Sequence, residues 1–135
     1  MITAAGRQVV VIDDDPSIQA LFRDVLEGEG YRVATRGAPP ADPADLLALA
    51  PDLVVLDLVV GRDGGGWAFL QRLKTDPATH GLPVLVCSAA VETVERHRAQ
   101  LDTWCCGVLL KPFDLDDLLA LVRACIDPGA AAEAC

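Results

Sequence analysis

Five short runs of this chain are apolar almost without a break, and five stretches between them place apolar residues at every third or fourth position. The unbroken runs are Gln8-Val-Val-Val-Ile-Asp13, Tyr31-Arg-Val-Ala-Thr35, Pro51-Asp-Leu-Val-Val-Leu-Asp-Leu-Val-Val60, Leu82-Pro-Val-Leu-Val-Cys87 and Gly107-Val-Leu-Leu-Lys111. The run at 51–60 lacks polar alternation, so both of its faces must be covered, the condition of a strand in the middle of a parallel sheet. The run at 31–35 is more polar and reads as an edge strand. The stretch from Pro16 to Glu29 carries Ile18, Leu21, Phe22, Val25 and Leu26 as one helical stripe. Pro16, Gln19, Ala20 and Arg23 then face outward, free to choose partners. Asp15-Pro16 and Asp42-Pro43 are helix starts, with Asp as cap and Pro at the first helical position. A short helix is expected over 42–50, and another over Trp67–Thr75 with Trp67, Leu70 and Leu73 inward. A polar one over Glu92–Leu101 has only Val91, Val94 and Leu101 to anchor it. A last one after Asp114 buries Leu118, Leu121, Val122 and Cys125 or Ile126. Strand and helix thus alternate five times. The fold class is α/β, a doubly wound parallel five-stranded sheet of (βα)5 type with helices on both faces.

Length and charge narrow the reading. A chain of 135 residues makes one domain, spanning 1–126, with 127–135 as a frayed C-terminal tail. The net charge of −9 argues against a nucleic-acid partner. No run is long and apolar enough for a signal peptide or a bilayer span, so the expectation is a cytoplasmic protein with no membrane partner. Five cysteines, Cys87, Cys105, Cys106, Cys125 and Cys135, are odd in number and irregularly spaced. They read as reduced thiols rather than a disulfide framework, and Cys87 and Cys125 fall on apolar faces.

The chemistry lies at the C-terminal ends of the strands. Asp13 and Asp14 end the first, Asp57 the third, Ser88 the fourth and Lys111 the fifth. In a parallel sheet these ends share one edge, where open α/β sheets bind ligands. Three carboxylates brought together repel one another, and a divalent, oxygen-seeking cation such as Mg²⁺ would resolve the conflict. Lys111 adds a fixed positive charge and Ser88 a hydroxyl. An ionised carboxylate, a metal and donors for phosphoryl oxygens form the set needed to transfer a phosphoryl group to a carboxylate. Asp57, alone on the central strand, is the best nucleophile. Each residue also has a plainer use: capping for the aspartates, loop contacts for Ser88, solvation for Lys111.

Val11-Ile-Asp-Asp-Asp-Pro-Ser17, Val54-Val-Leu-Asp57, Val86-Cys-Ser-Ala89 and Leu110-Lys-Pro-Phe113 together resemble the motifs of a response-regulator receiver domain, over about residues 7–126. The resemblance implies a flavodoxin-like strand order 2-1-3-4-5 and phosphorylation of Asp57. It implies Mg²⁺, with Mn²⁺ as a substitute, held by Asp13, Asp14, Asp57 and the backbone carbonyl of Val59. Ser88 becomes the switch hydroxyl and Lys111 the phosphate-contacting lysine, before a cis Lys111-Pro112 bond. The implied partners are a histidine kinase or phosphotransfer protein and a downstream protein target. The only chemistry expected is the chain's own phosphorylation and dephosphorylation, in a receiver that stands alone; the alternative is a receiver-like interaction module that is never phosphorylated. Three departures stand out: the glycine-rich segment Gly61-Arg-Asp-Gly-Gly-Gly66, Val108 where an aromatic is usual, and Trp104-Cys-Cys106 before the last strand.

Overall fold

The computed structural model describes residues 6–60 and 65–127. Its five strands, β1 (Gln8–Ile12), β2 (Arg32–Arg36), β3 (Leu53–Leu56), β4 (Val84–Ser88) and β5 (Gly107–Leu110), form one parallel sheet in the order β2-β1-β3-β4-β5. The expected topology and the edge position of β2 are both observed. The helices are α1 (Pro16–Gly28), α2 (Gly65–Thr75), α3 (Val91–Arg96), α4 (Arg98–Thr103) and α5 (Leu115–Ile126).

Strand pleating divides the core in two. Val9, Val11, Leu53, Val55, Leu85, Cys87 and Leu109 point to the face covered by α1 and α5, where Phe22, Leu26, Leu118 and Val122 meet them. Val10, Ile12, Val54, Leu56, Val84 and Val86 point to the other, against Leu70, Leu73, Val94 and Leu101. Every strand residue of β3 and β4 is buried, which explains their unbroken apolar runs.

Four expectations need correction. The 42–50 element is a 3₁₀ helix, Pro43–Leu49. A three-residue period brings Pro43, Leu46 and Leu49 onto one line; the first two are buried while Leu47 is left 44% exposed. The 92–101 helix is two, α3 and α4, parted at His97, whose ring stacks on Trp67 at 3.7 Å with the planes 10° apart. This region is also well anchored, because Val94 and Leu101 are fully buried. The helix expected over Trp67–Thr75 begins two residues earlier, with Gly65 and Gly66 in its first turn, and 61–64 lie outside the described residues. Finally, Cys87, Cys106 and Cys125 are free thiols as expected, but Cys105 is disulfide-bonded, so the set is not uniformly reduced. Of the tail expected at 127–135, residues 128–135 lie outside the described residues. Among the described residues no helix is long and apolar enough to cross a membrane.

Candidate functional site

The alternation that builds the α1/α5 side of the core also builds the site. Continue the odd positions 9 and 11, 53 and 55, and 109 one step past the strand ends, and they reach Asp13, Asp57 and Lys111. Three charged side chains are thereby set side by side on top of an apolar layer. Asp13 and Asp57 are only 3% and 6% exposed. The Lys111 ammonium lies between them, 2.7 Å from Asp13 Oδ2 and 3.2 Å from Asp57 Oδ2. Burial works to lower the Lys111 pKa, but the hydrogen bonds and charges of Asp13 and Asp57 outweigh it and hold the group above the ordinary lysine value. Lys111 enters the site at the start of a cis bond to Pro112, and its backbone N–H donates to the Ser88 carbonyl at 2.9 Å.

Each carboxylate is held at its second oxygen too. Asp57 Oδ1 accepts the Val59 N–H at 3.0 Å, and Asp13 Oδ1 accepts the Asp15 N–H at 2.9 Å. Asp15 in turn caps α1 by accepting from the Ser17 N–H, as its sequence position implied. The remaining expected residues are placed less centrally. Asp14 is exposed, and among the described residues its side chain makes no hydrogen bond or ion pair. Ser88 is fully buried on β4, at an even position of that strand, and its Oγ accepts the Ala90 N–H at 3.1 Å. Val59 is 48% exposed at the rim.

Gln19 and Cys87 are residues of the site that hydrophobic patterning did not mark, and Arg23 is a second α1 residue turned away from its expected outward position. Gln19, expected to face outward, is half-buried and donates from Nε2 to the Asp13 carbonyl at 2.6 Å. Arg23, expected to do the same, is half-buried and donates to the Val33 carbonyl on β2 at 3.0 Å. Beside Gln19, the other overlooked site residue is Cys87, next to the charges. Burial pushes its thiol up to about 12, with Lys111 pulling the other way and Asp13 and Asp57 adding to the rise. Its odd position on β4 was the available signal.

The donor set fits a hard cation. Among the described residues no three His, Cys, Asp or Glu side chains stand together as a ready metal cluster. Mg²⁺ needs less, one or two carboxylates with waters making up the rest. An ionised carboxylate has about four acceptor positions, and Asp13 and Asp57 each spend two within the protein. Lys111 offers one positive charge to the two buried carboxylates, while Asp14, next in sequence to Asp13, lies exposed to solvent.

The family model for the response regulator receiver domain matches residues 9–123. The chain is 35% identical over 117 residues to the DNA-binding dual master transcriptional regulator RpaA of Synechocystis sp., covering 87% of this chain and 48% of that protein. It is 31% identical over 118 residues to the DNA-binding response regulator MtrA of Mycolicibacterium smegmatis, covering 87% of this chain and 50% of MtrA. The chain therefore spans about half the length of these curated relatives. Among solved structures it resembles the N-terminal domain of a response regulator receiver protein from Methanoculleus marisnigri, with TM-score 0.64 at 33% identity over 86% of this chain and 93% of that one. It also shares its fold with the receiver domain of sensor histidine kinase PA1611 from Pseudomonas aeruginosa, solved with magnesium in its active-site cleft. There the TM-score is 0.74 at 18% identity, over 90% of this chain and 98% of that one.

Proposed function

The chain belongs to the response-regulator receiver family of two-component signal transduction, and from the geometry of its site we propose that it is a phosphoacceptor whose acceptor is Asp57. The observation that carries this is the pairing of Asp57 with Asp13 through one buried lysine. A carboxylate confined at 6% exposure, with one oxygen on a backbone N–H and the other on an ammonium, is ionised, oriented and sheltered from bulk water. Those are the conditions for a carboxylate nucleophile.

The phosphoryl donor is a phosphohistidine of a histidine kinase or phosphotransfer protein. A carboxylate oxygen of Asp57 forms the new O–P bond in line with the departing imidazole nitrogen, whose P–N bond breaks; the ring, protonated at its other nitrogen, keeps the electron pair and leaves neutral. Lys111 is placed to follow the transferred oxygens, because it already touches Asp57 Oδ2. Ser88 would turn its hydroxyl from the Ala90 N–H toward another oxygen. Asp13, Asp14, Asp57 and the Val59 carbonyl would hold Mg²⁺, or Mn²⁺ in its place. The cation supplies charge neutralisation between the acidic residues and the incoming anion. The chain turns over no substrate other than its own acyl phosphate. Its output is a protein partner in the cytoplasm, since the net charge of −9 opposes contact of this domain with nucleic acid.

The test is intact-mass spectrometry after incubation with acetyl phosphate and MgCl₂. One phosphoryl group should be gained, lost with EDTA and absent in Asp57→Asn. A wild type that gains nothing would leave a receiver-like interaction module as the better description; labelling of the Asn variant at the normal rate would move the acceptor elsewhere.

A further inference from the structure

Asp13 is held at all four of its polar atoms. Its N–H donates to the Arg36 carbonyl at 3.0 Å, Oδ1 accepts from Asp15 and Oδ2 from Lys111, and its own carbonyl accepts from Gln19 Nε2 at 2.6 Å. The Gln19 contact differs from the others in what it immobilises. The carbonyl of Asp13 and the N–H of Asp14 belong to one rigid peptide plane. Fixing that oxygen restrains the peptide on the N-terminal side of Asp14, the one on its other side is held where the Asp15 N–H meets Asp13 Oδ1, and the two together set the direction in which the Asp14 side chain leaves the backbone. The Asp14 carboxylate itself is exposed and, among the described residues, unpartnered. A carbonyl can only accept, so the group opposite it must be the amide nitrogen of Gln19. Gln19 is itself confined, half-buried on the second turn of α1, with Gly37 across from its amide; a Cβ added there would come within 3.9 Å of Nε2.

The geometry points to Gln19 as a positioning residue for the cation site: by holding the Asp13–Asp14 peptide, it aims Asp14 at the metal that Asp13 and Asp57 share. This rests on the metal reading proposed above. A cation held by Asp13 would compete with Lys111 for its Oδ2, and the restraints left on the acidic pair would then be backbone contacts and Gln19. Without Gln19, Asp14 must be ordered at the moment of binding, and that entropy is taken from the affinity. The rate of transfer from a fully loaded site should not change, because Gln19 touches neither Asp57 nor the phosphoryl path.

Three variants separate donor from bulk. Gln19→Met keeps the length and loses the donor; Gln19→Lys keeps a donor; Gln19→Glu places an acceptor against the carbonyl. Titration with MgCl₂ alone by calorimetry should show Gln19→Met binding about fivefold more weakly, the equivalent of one ordinary hydrogen bond. Gln19→Glu should be weaker still, and Gln19→Lys within about twofold of wild type. In acetyl-phosphate labelling, the half-saturating Mg²⁺ concentration should rise by the same factors while the maximal rate stays constant. Metal-free amide exchange provides the arm that needs no cation: exchange at Asp14 and Asp15 should quicken in Gln19→Met and not in Gln19→Lys. Wild-type affinity in Gln19→Met, or equal loss in Gln19→Lys, overturns the proposal. If the wild type binds no Mg²⁺, the metal reading fails, and the exchange data alone then decide whether Gln19 holds the peptide.

Discussion

Lys111 and Asp13 meet at 2.7 Å across 98 residues of sequence, and through the same ammonium Asp57 is joined at 3.2 Å. The lysine side chain is 16% exposed, so the contact is shielded from water without being sealed from it. Substituting Lys111→Met would leave two buried carboxylates facing each other with no counter-charge. In divalent-free buffer this should cost about 2–4 kcal/mol, near the value for breaking a buried pair and discounted for the exposure of the lysine. The pKa of Lys111 is raised in the folded protein, so its stabilising contribution is complete below the unfolded lysine value of about 10.4 and disappears as pH climbs through the folded value above it. Urea denaturation of wild type and variant from pH 7 upward should show a constant difference that shrinks only above that point.

Gly66 is pressed against the acceptor strand. A Cβ there would collide with the backbone carbonyl oxygens of Asp57 and Leu58, so α2 approaches the site as closely as it does only because residue 66 has no side chain. Gly66→Ala should destabilise the fold by about 1–3 kcal/mol and slow labelling by acetyl phosphate as Asp57 is displaced. Gly81→Ala, where nothing lies within 4 Å of the added carbon, serves as the control and should stay within about 0.5 kcal/mol.

The His97–Trp67 stack gives stability an acid limb. Burial against the indole, with Arg96 adding to it, lowers the His97 pKa. The folded protein therefore binds fewer protons than the unfolded chain, and the contribution of neutral His97 is complete above the unfolded value of about 6.5 and declines as pH falls from there toward the folded value. Thermal melts followed by tryptophan fluorescence between pH 8 and 5 should show this slope. In His97→Phe, which keeps a ring and loses the proton, the portion of the slope due to this group should vanish.

The acyl phosphate of the proposed phosphoacceptor should be long-lived. Val59 is an alkyl group at the rim, and Ala90 offers only its backbone N–H, already given to Ser88. Neither can orient an attacking water. Installing polar side chains in Val59→Asn, Ala90→Glu should speed decay by on the order of tenfold, because orientation limits such a step. The loss of phosphoprotein mass after donor removal would be followed in both proteins; equal decay would show that these two positions do not set the lifetime.

Read as a pattern, the sequence determined the parallel sheet and the convergence of Asp13, Asp57 and Lys111 at one end of it; the strand order was implied by the receiver-like motifs. Strands have a period of two, and buried odd positions on β1, β3 and β5 carry the charged residues that end them onto one face. The helical stripes were equally legible, since Phe22, Leu26, Leu118 and Val122 had no place but the core. What tertiary structure decided was everything that depends on reach between elements. The break at His97 answers to Trp67, thirty positions away on another helix. The 3₁₀ geometry of 43–49 follows from which leucine finds a neighbour. Gln19 and Arg23 leave the solvent-facing side of α1 because long polar side chains can bend to unsatisfied backbone carbonyls at the sheet's edge. Hydrophobic periodicity records where apolar surface must go; it carries no information about which carbonyl an amide or guanidinium will find. The site's carboxylates and lysine were therefore visible in the chain, while the contacts that aim them appeared only when the helices were laid against the sheet.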